Sequence, residues 1–440
     1  MARSSESVAI VNSCTVKGVS EVQNYHAAGH GARLDWAHHR RGEGAQVNAQ
    51  DPQVNGPLSG VRVADFSRVL AGPYATMLLA DLGADVIKIE GPEGDGTRQW
   101  TPPANAVGQS TYYAGANRGK RSVVCDLRDP AGLAVATELA QSADVVIQNF
   151  KPGTMERFGL GYEAVAEQNP GVVYCSISGF GDAEGAELPG YDLLVQAVGG
   201  LMSITGQAEG EPTKVGVALV DIITGLNAVI GIQAALRARD DEASSVRGQG
   251  QHVRVNLLSS LLSALANQAS STLETGVSPG RMGNAHPSIA PYETFATADQ
   301  TIALAVGTDG QFAQLADVIG APGLASDARF TNNESRVAHR AELREELESR
   351  LRTRPATDWL PEFADRKVPA GRVNSVAQAL ELAESLGLDP VAKTPALAPD
   401  GTMHPVRTVA NPVGLSLTPA RYTSPPPGLG EHDGANWLPR

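Results

Sequence analysis

The strongest constraint on the fold is an alternation that begins at Leu58. Short apolar runs, VRVADF (61–66), DVIKIE (85–90), RSVVCDL (121–127), DVVIQNF (144–150) and GVVYCSISGF (171–180), are separated by stretches of helical pattern. One helix, GPYATMLLADLGA (72–84), is opened by a proline and closed by Gly83; another spans Asp129 to Ala143, and a third follows Gly153. Strands with near-continuous apolar runs, rather than apolar residues at every second position, are buried on both faces, and the intervening helices supply the covers. The pattern predicts an α/β fold: a doubly wound, mostly parallel, Rossmann-like sheet.

Such sheets bind ligands beyond the carboxyl ends of their strands. The polar signals collect there. SRVLAGP (67–73), after the first strand, is not the G-x-G-x-x-G of a dinucleotide site, and GLGYEA (159–164) echoes that motif but follows a helix instead of a strand. GPEGDGTR (91–98) is a Gly-rich loop ending in Arg98, and NFKPGTMER (149–157) carries Lys151 and Arg157 around the start of a helix. A net charge of −13 with no Lys/Arg-rich block argues against nucleic acid or an anionic membrane as partner, so an anionic substrate needs local cations of this kind.

The segment Lys214 to Arg237, KVGVALVDIITGLNAVIGIQAALR, has one ionisable side chain between its cationic ends, Asp221. A lone carboxylate on an apolar wall is costly to bury. One reading is an N-cap for a buried helix over Ile222 to Arg239. The other is a partly desolvated carboxylate at the positive end of that helix, held as a nucleophile or proton acceptor. Thr, Asn, Gln and Gly in the middle of the run argue against a membrane span.

Outside this core, residues 1–55 have the composition of a flexible extension. They hold His26, His30, His38 and His39; the His26/His30 spacing is that of a helical metal pair, but no Glu follows His26, and no metal site is expected. The N-terminus lacks a secretory pattern, and Cys14, Cys125 and Cys175 form no disulfide or metal spacing; a reducing cytoplasm is expected. HVRVNLL (252–258) predicts a strand and Leu258 to Thr272 a helix, so the large α/β domain covers 56–275. After the Gly- and Pro-rich stretch 274–291, a hairpin over 292–306, a helix from Gly310 to Ile319 and a charge-laced helix over 339–354 predict a smaller α+β domain at 285–385. The Pro-rich segment 395–440 is expected to return over the large domain.

Taken in order, PLSGVRVADFSRVLAGPYATMLLADLGADVIKIEGPEGDGTR, NRGKRSVVCDL, NFKPGTMERFGLG, PGYDLLVQAVGG and GRMGNAHP resemble the class III CoA-transferases, the family of formyl-CoA:oxalate and carnitine CoA-transferases that also includes α-methylacyl-CoA racemases. The likeness runs from about Pro57 to Thr423. It implies an acyl-CoA:carboxylate CoA-transferase that uses CoA thioesters as substrates, holds no permanent cofactor and forms an interlocked homodimer. Asp221 matches the family's nucleophile, and Tyr191-Asp192 match the segment before it. Arg98, Lys120, Asn149, Phe150 and Arg157 are expected at the CoA site. Leu70, Tyr191, Asp192, Gly283 and Asn284 are expected at the substrate pocket, with Gly283 and its neighbours resembling a cover over the intermediates.

Formyl-CoA transferase has Gln where this chain has Leu70, and a longer glycine run where it has GNAHPS (283–288), which suggests a pocket less polar than an oxalate site. Two alternatives are a 2-methylacyl-CoA racemase or epimerase and a non-catalytic CoA-binding homologue. The racemases carry His at the position of Tyr191, and no His lies between His39 and His252. A phenol is a far weaker acid than imidazolium and a poor replacement for His in proton transfer at neutral pH.

Overall fold

The computed structural model describes residues 56–440. The 1–55 extension, with Cys14 and the four histidines named above, lies outside the described residues. The expected alternation is present: β1 (Arg62–Asp65), α1 (Ala71–Asp81), β2 (Asp85–Glu90), β3 (Lys120–Val124), α2 (Pro130–Gln141), β4 (Val145–Gln148), β5 (Val173–Ser178), α3 (Asp192–Val198), α4 (Leu219–Asp240), β6 (His252–Asn256), α5 (Leu257–Ala264) and α6 (Ala266–Thr275), with the single-turn helices and the short helix Tyr162–Gln168 before β5 left unlabelled. Local chemistry sets the ends. Gly83, at φ +102°, stops α1, and Asp129 caps α2 by accepting from the N–H groups of Ala131 and Gly132 at 3.1 and 3.0 Å.

The six strands form one parallel sheet in the order β3-β2-β1-β4-β5-β6. Val63, Val86, Val145 and Val173 pack into one buried cluster, while their neighbours Ala64, Ile87, Val146 and Tyr174 pack into another. Successive strand residues point to opposite faces, so both faces need apolar side chains, which explains the unbroken apolar runs. The order reverses between β1 and β4. That reversal opens a crevice at the carboxyl ends of the central strands.

Two expectations are corrected here. Asp221 is not an N-cap: α4 starts at Leu219, three residues before the expected Ile222, and Asp221 sits in its first turn. The single helix expected over Leu258 to Thr272 is two, because Ala266 takes φ +43° and breaks the hydrogen-bond ladder between α5 and α6. By length and hydropathy α4 could cross a membrane. In this fold it packs against α1, α5, β5 and β6, a core helix of the sheet. Gly225 permits the closest of these approaches, since a Cβ there would lie 2.6 Å from the Ala71 carbonyl oxygen.

A second core, with Phe295, Ile302, Phe312, Leu347, Trp359 and Phe363, lies against a three-stranded antiparallel sheet of β7 (Tyr292–Ala296), β8 (Thr301–Ala305) and β9 (Ala370–Arg372). β10 (Val391–Leu397) and β11 (Met403–Val409) form an antiparallel pair. The last segment then runs along the outer edge of β3. His432 N–H donates to Ser122 O at 2.9 Å, Val124 N–H donates to Asp433 Oδ1 at 2.8 Å, and Arg121 donates to Asn436 O at 2.7 Å.

Candidate active site

The crevice at the sheet reversal holds a cavity of about 520 Å³, a usual size for a small-molecule site. Each wall is a loop leaving a strand. Arg68, Val69, Leu70 and Ala71 come from the β1–α1 connection, Gly96 from the loop after β2, Asn149 and Phe150 from the end of β4, and the stretch from Ser178 to Asp192 from beyond β5. Asp221, in the first turn of α4, closes it.

The entry to α4 is tied down by Asp192. One of its carboxylate oxygens accepts from Val220 N–H at 2.8 Å and Asp221 N–H at 3.3 Å; the other accepts from Gln196 Nε2 at 2.6 Å. Gln196, fully buried, also accepts from Val215 N–H at 2.9 Å. Asp192 therefore caps a helix other than the one it begins. Among the described residues no group donates a hydrogen bond to the Asp221 carboxylate. Burial, and then the negative charge of Asp192, push it up to about 7. The positive end of α4 works in the opposite direction without prevailing. A carboxylate poised near neutrality, lining a cavity and lacking a partner, is available as a nucleophile or a base.

Of the expected pocket residues, Leu70, Tyr191, Asp192, Asn149 and Phe150 line this cavity with Asp221. Asn149 does so by pinning a loop: its side chain accepts from Arg68 N–H at 2.8 Å and donates to Arg68 O at 2.7 Å. Tyr191 is 71% exposed, an apolar ring at an open rim. The remaining expected residues lie elsewhere. Lys120 is fully buried and donates to Asp65 at 3.1 Å, Pro73 O at 2.9 Å and Asn117 at 2.9 Å, so all three of its protons are committed inside the fold and its expected contact with CoA is withdrawn. Arg98 does not reach the cavity wall either, because its guanidinium is paired with Glu90 at 2.7 Å and lies over the Tyr113 ring. Arg157 is exposed outside the cavity, bonded to Thr154 at 3.3 Å. Gly283 and Asn284 are outside it as well: Gly283 N–H donates to Gly206 O at 2.9 Å, and Asn284 donates to Thr294 at 2.9 Å.

Sequence reasoning missed Arg68 and Tyr112. Arg68 lines the cavity, stacks over Phe150 at 4.4 Å, and has no carboxylate within ion-pair distance among the described residues. The cavity's other cation, Lys151, is paired with Glu187. Tyr112 packs edge-on against Trp100 at 4.8 Å. Burial, and then the charges of Asp221, Asp192 and Asp95, push its hydroxyl up to about 12, so it stays protonated within electrostatic range of Asp221. Tyr112 had no signal in the sequence beyond residue type, and Arg68 only its place just past the end of the first strand.

Comparison with known proteins agrees with this architecture. The model of CoA-transferase family III matches residues 58–433. The chain is 45% identical to a succinate–glutarate CoA-transferase of Agrobacterium fabrum, over 87% of this chain and 95% of that protein. It is 39% identical to an acetyl-CoA:oxalate CoA-transferase of Acetobacter aceti (82% and 90%). A solved CAIB/BAIF family protein from Brucella suis superposes with a TM-score of 0.76 at 42% identity, covering 86% of this chain and 98% of that one. Carried by a match over nearly the whole described chain, the conclusion is that this protein belongs to CoA-transferase family III and is an acyl-CoA:carboxylate CoA-transferase.

Proposed function

We propose that the chain moves CoA between dicarboxylic acids of succinate or glutarate type, with Asp221 as the nucleophile. The observation that carries this reading is the unpartnered Asp221 carboxylate in the cavity, held at about 7. Asp221 attacks the thioester carbonyl of the donor and expels CoA thiolate, giving an aspartyl–acyl mixed anhydride. The thiolate then attacks the aspartyl carbonyl, releasing the donor acid and leaving CoA joined to Asp221 as a thioester. The acceptor carboxylate attacks that thioester carbonyl and expels the thiolate, forming a new mixed anhydride. Attack of the thiolate on the acceptor's acyl carbonyl yields the product thioester and regenerates Asp221. Each bond made is matched by one broken, and no outside reductant or proton source is needed.

The dicarboxylate preference is supported by the names of the relatives and by Arg68, a cavity cation left without a carboxylate. Leu70 and the Tyr191 ring supply an apolar wall suited to a methylene chain. Arg157, outside the cavity, is retained as a contact for the distal part of CoA. Incubation with succinyl-CoA, glutarate and hydroxylamine should give a hydroxamate on Asp221, and Asp221→Ala should abolish glutaryl-CoA formation. Normal turnover by the Ala variant would refute the assignment. A cytoplasmic homodimer completes the proposal; a monomer mass by light scattering would count against the dimer.

A further inference from the structure

Val69 is the most strained residue of the cavity wall. Its φ is +68°, a left-handed conformation costly for a β-branched side chain, and it persists only where its surroundings impose it. Here the imposing group is Asp95. This carboxylate is fully buried and accepts from Val69 N–H with both oxygens, at 3.2 and 3.4 Å. It also accepts from Thr97 N–H at 3.0 Å and Thr97 Oγ1 at 2.8 Å. Lys88, likewise fully buried, pairs with it at 3.1 Å and donates to Ser67 O at 2.8 Å. One buried ion pair thus fixes two loops, the one after β1 and the one after β2, whose residues Val69 and Gly96 both line the cavity.

We propose that Asp95, locked by Lys88, is a positioning residue for CoA transfer: by capturing Val69 N–H it holds residues 68–70 in the left-handed turn that shapes the wall shared with Asp221. The proposal rests on the reading of this cavity as the transfer site. Buried charges are costly unless paired and hydrogen-bonded. Lys88 and Asp95 meet that requirement, and the backbone contacts at Ser67 and Val69 are what the pair adds beyond its own neutrality. Without the Asp95 contact Val69 relaxes to negative φ, the peptide joining it to Arg68, which carries the captured N–H, turns over, and the wall residues on either side, Arg68 and Leu70, shift with it. Displacements of about 1 Å in a transfer site cost on the order of 100-fold in rate.

Three variants test this, each assayed for glutaryl-CoA formation from succinyl-CoA with kcat and KM separated, and each checked for folding by urea denaturation. Val69→Pro leaves the Lys88–Asp95 pair intact but removes the N–H and forbids positive φ; kcat should fall about 100-fold with a smaller change in KM. Asp95→Asn keeps one acceptor oxygen but loses the second and the charge that Lys88 locks, so it loosens the hold on Val69 and should lower kcat in the same direction. Adding Val69→Gly to Asp95→Asn should recover at least about tenfold of the loss, because glycine holds a left-handed φ without an anchor. A purely structural ion pair predicts no such rescue. If Asp95→Asn does not fold, Val69→Pro alone decides. Wild-type transfer with undiminished turnover in Val69→Pro, or a folded Asp95→Asn that Val69→Gly fails to rescue, overturns the inference while leaving the function standing. No transfer by the wild-type chain with any acid would overturn the functional reading and this inference with it.

Discussion

Replacing Asp221 by Asn should inactivate the enzyme and stabilise it, with a stabilisation that grows with pH. The folded chain holds this carboxyl at about 7 against an ordinary value of 3.8, so between those values the folded state binds more protons than the unfolded state. A raised carboxylate pKa lowers stability as pH climbs through that window, and the full penalty is present above about 7. At about 1.36 kcal/mol per pK unit, the difference sets a ceiling of ~4 kcal/mol at pH 8 and ~1.6 kcal/mol at pH 5. Asn removes the penalty, and it also forfeits the attraction of the α4 N-terminus, worth about 0.3–1 kcal/mol. The expected net gain is thus about 3 kcal/mol at pH 8 and about 1.6 kcal/mol at pH 5, where the folded carboxyl is protonated and has no charge for the helix end to attract. Urea denaturation of both proteins at the two pH values measures it, with transfer assayed alongside. A gain of equal size at both pH values, or a loss at pH 8, would refute the placement of a desolvated carboxylate at this position.

The other predictions concern the same site and its supports. In the wild type, kcat/KM should fall about tenfold per pH unit below about 7, as Asp221 takes up its proton. Asp192→Asn should move this acid limb to lower pH, since the amide oxygen still accepts from Val220 and Asp221 while the neighbouring charge is gone; an unmoved limb would show that Asp192 does not set the Asp221 proton affinity. Arg68→Ala should raise KM for succinyl-CoA or for glutarate by about tenfold or more, as expected for losing a charge-assisted hydrogen bond, and unchanged KM values for both would remove Arg68 from recognition. Gly225→Ala should lower stability by about 1–3 kcal/mol, because the new methyl would lie 2.6 Å from Ala71 O; a urea midpoint equal to wild type would show that α1 and α4 can separate freely.

The strands were legible because burial on both faces demands unbroken β-branched runs, and DVIKIE was placed to the residue as β2. Asp221 was legible for a related reason, as a single charge in an apolar run. Its environment was not. Asp192 lies 29 residues away and is expected from the resemblance only at the substrate pocket, whereas its carboxylate serves the start of α4. The placement of Lys120 was hidden in the same way. Whether a lysine such as Lys120 faces solvent or the core depends on a partner 55 residues distant, Asp65, and residue type carries no trace of that pairing. The left-handed Val69 was hidden because β-branched residues argue against that conformation, and only the Asp95 contact overrides the preference.

The segment along β3 has a consequence for how the chain is made. Ser122 and the residue that covers it, His432, are 310 positions apart, so on the ribosome every strand of the parallel sheet is synthesised well before the outer edge of β3 can be closed. Through that interval the nascent chain presents unsatisfied backbone groups of the kind that recruit other strands. Proteolytic loss of the last residues would make that temporary exposure permanent, leaving a chain whose cavity is intact but whose sheet can add strands from its neighbours.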